Sequence, residues 1–133
     1  MPVLARWYLK TALLYLTLGV VFGALILWHK GSPLPGAWQM LTPHIASVTW
    51  GWLLLLTWGV AYWILPRWGQ ERPRGWLAGA AYVCLNAALW LMALAPWLSA
   101  AWLNAASGAL QAVACLAFVL HAWPRVRKSG ARL

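Results

Sequence analysis

The sequence predicts an all-α fold, a four-span transmembrane helical bundle built as a single domain over residues 1–133, with both termini cytoplasmic. Three observations carry that prediction. The chain of 133 residues is 64% hydrophobic and only 8% charged, against about 25% charge in an average soluble domain. Its apolar residues fall into four runs, at 8–28, 44–65, 76–94 and 100–123, separated by segments rich in Gly and Pro; about 20 apolar residues cross a hydrocarbon core of about 30 Å. Finally, nine of the 10 Lys and Arg residues lie before or at the very start of span one, between spans two and three, or after span four, and only Lys30 lies on the other side. A positive-inside asymmetry of that size places both termini in the cytoplasm. The 13 tryptophans agree, because indoles gather at membrane interfaces.

Span one, 8–28, carries Gly19 and Gly23 as a GxxxG pair, which allows close helix approach. His29 and Lys30 end it on the outer side. A protonated histidine is favoured at a helix C-terminus, so one reading of His29 is an interfacial cap. The outer loop, 31–42, is rich in Gly and Pro and carries Trp38 as an interfacial anchor. It returns the chain to His44, so His29 and His44 occupy one leaflet, where they can share a metal or act singly.

Span two, 44–65, organises the chain. Thr42 suits an N-cap and Pro43 the first helical position, which puts His44 in the first turn. There the helix dipole favours neutral imidazole, the form that binds a metal. At about 100° per residue, Ser47, Gly51, Leu55, Gly59 and Tyr62 fall within roughly 60° of His44. Small side chains therefore line the stripe beside His44, leaving room for a flat macrocycle or for a closely packed helix. A lone intramembrane histidine is a functional hypothesis, while one near the interface can simply meet headgroups and water.

The turn after span two is broken by Pro66, Gly69, Pro73 and Gly75. Glu71, the one acidic residue of the chain, reads as a solvated ion-pair partner among arginines. Span three, 76–94, buries Asn86 near its middle, where an amide needs an interhelical hydrogen bond. The short return loop, 95–99, makes spans three and four antiparallel neighbours. On span four, 100–123, Asn104, Gly108, Gln111 and Cys115 lie within roughly 60° of one another, with Ser107 on the flank. That stripe should face the bundle interior or a partner. His121, beside Trp123 and Pro124, reads as interfacial and lies across the membrane from His44.

Several function classes drop out. The net charge of +9 would point a soluble protein toward nucleic acid, but here the basic residues are topological and no nucleic-acid partner is expected. A single carboxylate offers no pair for general acid/base work, which argues against hydrolase chemistry, and a stand-alone enzyme is not expected. Cys84 and Cys115 fall inside spans and behave as small apolar residues, with no CxxC or zinc spacing. No convincing cleavage site follows the basic N-terminus and its apolar run, so span one is expected to be retained. Transport is disfavoured because no span carries an acidic residue or a charge pair.

One pattern is more specific. His44, Gly51-Trp52, Gly59, Tyr62 and Pro66-Arg67, spaced H-x6-GW-x6-G-x2-Y-x3-PR over about a sixth of the chain, resemble the second helix of the heme-copper oxidase subunit I superfamily. The likeness is to its nitric oxide reductase-like branch and to small four-helix proteins similar to the N-terminal part of that subunit. The resemblance implies that His44 is an axial ligand to heme b near the outer face, with Ser47 and Gly51 as its clearance and Lys30 or Trp38 meeting the propionates. Ala46 stands where small relatives carry another histidine, so a second ligand would come from His29 or another subunit. The copper-site histidines have no counterpart, so the implied role is electron transfer without gas reduction. It would be carried out by a homo-oligomer or within a larger respiratory complex, in a bacterial inner membrane. The alternative is a cofactor-free accessory subunit, with His44 merely satisfied at the interface.

Overall fold

The computed structural model describes residues 1–66 and 74–126. Four of its helical segments are long and apolar enough to cross a membrane, and the described residues form a four-span transmembrane bundle. Glu71, Gly69 and Pro73, the arginines at 67 and 72, and the basic tail beyond residue 126 lie outside the described residues.

The first span is α1 (Val3–His29), which begins five residues ahead of the expected start. The Arg6 N–H closes the first turn on the Pro2 carbonyl at 3.2 Å. Arg6 and Lys10 are tolerated there because long cationic side chains run their stems along the apolar surface and keep their heads in water.

The second span is continuous from Ala37 to Ile64 and is the most buried of the four. It opens as a 3₁₀ turn (Ala37–Met40), becomes α2 (Leu41–Ala46), widens into a π-helical stretch (Ser47–Leu54) and closes as α3 (Leu55–Ile64). Gly36 enters it with φ 75°, a conformation glycine adopts without strain, and the Trp97 ring packs beside it. The expected N-cap at Thr42 is therefore overturned. The helix is already under way at Ala37, and Thr42 makes no capping bond. Pro43, third in α2, therefore lies past the first turn of the span, and its missing N–H forfeits one backbone bond to the 3₁₀ turn before it.

The third and fourth spans are α4 (Gly75–Leu98) and α5 (Ala101–Val126). The chain reverses between them through Ser99, at φ 51°, so they are the antiparallel neighbours expected. The reversal is tighter than the predicted loop, because α4 runs on through Pro96, near its end, where a missing N–H forfeits one hydrogen bond.

Lipid gives helices no hydrophobic reason to associate, so close packing and interhelical hydrogen bonds decide the arrangement. On α4 and α5, which pack closely together, the small side chains Ala81, Ala88 and Ala114 are fully buried. Ser107 Oγ donates to the Ala88 carbonyl at 2.9 Å. Between α1 and α4 three bonds form a ladder. Tyr8 Oη donates to the Ala78 carbonyl at 2.8 Å, Thr11 and Tyr82 hydroxyls meet at 2.6 Å, and Tyr15 Oη donates to Asn86 Oδ1 at 3.1 Å. The pairs are 70, 71 and 71 residues apart. A near-constant separation means that α1 and α4 run parallel and in register. Asn86 has the interhelical partner expected, and its amide also donates to the Tyr82 carbonyl at 2.8 Å.

The polar stripe expected on span four is rotated. Asn104 and Gly108 are exposed and Gln111 and Cys115 half-buried, while Leu103, Ser107, Ala114, Phe118, His121 and Arg125 form the buried line. The flank residue, Ser107, proves central because its hydroxyl reaches the α4 backbone. Gln111 serves that contact from the side, donating to Ser107 Oγ at 3.3 Å and to Met92 Sδ at 3.6 Å.

Candidate functional site

The face of the second span that bears His44 packs on α1 by reciprocal insertion of side chains opposite glycines. A Cβ on Gly23 would lie 2.9 Å from His44 Cε1, and one on Gly19 would lie 2.7 Å from Val48 Cγ2. From the other side, a Cβ on Gly51 would lie 2.5 Å from Tyr15 Cγ, and one on Gly59 would lie 2.7 Å from Tyr8 Cβ. The GxxxG pair of span one is thus a real contact, and its partner is the second span. Of the two uses open to the small-residue stripe, the structure realises the closely packed helix. The room at Gly51 is filled by the Tyr15 ring, and Ser47 Cβ sits 3.5 Å from the Cβ position of Gly19.

The π stretch explains how one face stays aligned. Ser47, Gly51, Leu55 and Gly59 recur every fourth residue and are all buried. In an α-helix that spacing drifts by about 40° per step. Wider turns over Ser47–Leu54, closed by bonds one residue longer, offset part of the drift.

His44 is half-buried, and its Nδ1 lies 2.7 Å from the Gly19 carbonyl. A carbonyl can only accept, so Nδ1 carries a proton, and in the neutral ring Nε2 keeps its lone pair. His29 is set the other way. Its Nδ1 accepts the Leu34 N–H at 2.9 Å, so in the neutral ring Nε2 carries the proton. His29 therefore closes the outer turn as an acceptor, not as the protonated cap that the helix C-terminus would favour, and Trp38 meets it edge-on with centroids 6.1 Å apart. While that bond stands, His29 presents an N–H and cannot ligate a metal through Nε2. Among the described residues no group of three or more His, Cys, Asp or Glu side chains converges. Lys30 and Trp38 lie exposed at this end of the bundle.

Tested against heme b, the residues fit unevenly. His44 has the donor arrangement of an axial ligand, one nitrogen anchored on backbone and the other unprotonated. Ser47 and Gly51, the supposed clearance, are packed against α1, and His29 is engaged elsewhere. A porphyrin inside the bundle does not fit this set.

The strongest polar cluster lies at the opposite, basic end, and sequence reasoning missed it. His121 and Arg125, one turn apart on α5, are 1% and 0% exposed. Arg125 Nε donates to the Pro66 carbonyl at 3.0 Å, Nη2 donates to the Leu65 carbonyl, and Nη1 donates to His121 Nε2 at 2.8 Å. His121 Nδ1 in turn donates to the Arg74 carbonyl at 3.1 Å, the tautomer that leaves Nε2 to accept. Tyr62 stacks on His121 with centroids 5.3 Å apart, and the guanidinium carbon lies 5.9 Å from the Tyr62 ring centre. Next along the same seam, Trp58 and Phe118 stack at 4.5 Å and 3°. The reading of His121 as interfacial is corrected: it is a buried link in a clasp joining the end of α3, the start of α4 and α5. The i, i+4 spacing of His121 and Arg125 was the available signal, masked because arginines at this end also serve topology.

No family model, curated protein or solved structure matches the chain.

Proposed function

We propose that this protein is a cofactor-free helical subunit that works by docking with larger membrane proteins, with His44 as the polar rivet between its first two spans. The observation that carries this reading is the reciprocal insertion of side chains at Gly19, Gly23, Gly51 and Gly59, which spends the small-residue stripe of span two on helix packing. The surface that remains is broad, apolar and rich in tryptophan: Trp28, Trp76, Trp90, Trp102 and Trp123 are all more than half exposed. Indoles at both ends suit both the lipid interface and the aromatic contacts favoured in protein interfaces. The resemblance of span two to a subunit I-like helix makes a respiratory assembly in a bacterial inner membrane the setting to examine first.

A second reading has one observation in its favour. The Nε2 lone pair of His44, held by the Nδ1 anchor on Gly19, is available to iron. Under that reading His44 is an axial ligand to heme b, whose other contacts come from a second copy of the chain or a partner. The protein then carries single electrons. When bound, the heme would supply the redox chemistry, and the residues of this chain would hold and orient it.

One experiment separates the two. The protein is purified after expression with ample heme and its visible spectrum recorded, oxidised and reduced, for wild type and His44→Ala. The first reading expects no Soret band in either and co-purification of defined membrane proteins. A Soret band that His44→Ala abolishes, with the fold intact, overturns it in favour of the second.

A further inference from the structure

A cavity of about 200 Å³ opens between α1, the Ala46–Ser47 turn and α4. Tyr15 and Phe22 wall it from α1, Leu89, Trp90 and Ala93 from α4, and Ser47 from the second span. It is nearly dry in chemistry, and His44 is not among its walls. Ser47 is 6% exposed, and among the described residues its hydroxyl has no hydrogen-bond partner. Tyr15, by contrast, spends its hydroxyl on Asn86. A buried hydroxyl without a partner costs free energy, and in lipid no bulk water relieves it.

We infer that this cavity is a binding site for a small planar ring bearing one carbonyl acceptor, taken up from the membrane. Size admits a ring, because a cavity of roughly 150 Å³ already holds benzene. The walls favour one, since the rings of Tyr15, Phe22 and Trp90 offer edges and faces to an aromatic guest. The one O–H donor of Ser47 is satisfied by an acceptor on the ring, and no cationic side chain lines the space to hold a carboxylate. Access is from the bilayer, where Leu18 and Trp90 are 41% and 61% exposed. A single water could satisfy Ser47 but would leave most of an apolar cavity unfilled. This inference stands apart from either reading of His44.

The test uses the full chain in detergent micelles, with acetophenone as the probe and ethylbenzene as its counterpart without the carbonyl. Binding is read from saturable shifts of the thermal unfolding midpoint. Acetophenone should bind wild type, and Ser47→Ala should weaken it about fivefold, the share of one neutral hydrogen bond. Ethylbenzene should bind more weakly and ignore Ser47→Ala. Filling the space by Ala93→Phe, or by Ala93→Leu should the larger residue prevent folding, should abolish both. A shift that survives the filling variants, an equal response to the two probes, or no saturable shift overturns the inference. So does native mass spectrometry finding a phospholipid held by wild type and lost on filling, because the occupant is then an acyl chain.

Discussion

At the scale of single residues, the small side chains of span two and the charge at the end of α5 set what each position tolerates. Tyr15 Cγ would lie 2.5 Å from a Cβ on Gly51, while a Cβ on Gly79 in α4 meets nothing within 4 Å. Gly51→Ala should therefore destabilise the protein by about 1–3 kcal/mol, the usual cost of overpacking. Gly79→Ala should stabilise it by up to about 1 kcal/mol through helix propensity. Thermal unfolding in micelles checks both, and a Gly51→Ala protein as stable as wild type would refute the packing account. Arg125 presents a sharper case. Removing its guanidinium strips the Leu65 and Pro66 carbonyls and His121 of a donor at once. Arg125→Ala should cost on the order of 3 kcal/mol. Arg125→Lys should recover only part of it, because one ammonium cannot span three acceptors as a planar fork does.

At the scale of elements, two devices hold helices in register. The ladder from α1 to α4 predicts measurable coupling between Tyr15 and Asn86, joined by a 3.1 Å bond. A double-mutant cycle with Tyr15→Phe and Asn86→Leu should return about 0.6 kcal/mol, the typical worth of such a bond between membrane helices. A coupling of zero would mean that the two residues pack without cooperating. The π stretch is the second device. An i→i+5 turn holds one residue more than an α turn, so deleting the half-exposed Leu53 should let the stretch close as plain α-helix, whereas deleting the exposed Thr57 from α3 should rotate Gly59 relative to Gly51 by about 100°. The unfolding midpoint should fall further for the Thr57 deletion than for the Leu53 deletion, since only the former keeps the Tyr15 contact at Gly51 and the Tyr8 contact at Gly59 from forming together. The every-fourth-residue recurrence of Ser47, Gly51, Leu55 and Gly59, three of them small, was visible beforehand. Its meaning was not, because an α-helical wheel spreads those residues and gives no reason for the turns to widen.

At the scale of the whole molecule, the arrangement of charge predicts topology. Nine of 10 cationic residues lie on one side of the four spans, so a C-terminal fluorescent protein fusion should glow and a C-terminal alkaline phosphatase fusion should be inactive. The opposite pattern would invert the assignment of the ends. The spans themselves were legible to within a few residues except where the second begins, and there Gly36 and the 3₁₀ turn carry the helix back beyond Thr42. The candidate site was legible in part. His44 and its stripe could be singled out from spacing, and the need of Asn86 for a partner from the cost of a bare amide in lipid. What filled the stripe, and where the Asn104 face pointed, could not be read.

Length, apolar content and the placement of arginines determined by themselves that this chain is a four-span membrane bundle, because a bilayer tests each segment against one thickness and one polarity. Tertiary structure alone decided that Tyr15 occupies the space at Gly51 and that His44 and His29 hold their protons on opposite nitrogens. It also decided that His121 and Arg125 are buried together. Each of those outcomes depends on which atom of a sequence-distant helix stands opposite, and no periodicity within one helix encodes its neighbour's rotation or height.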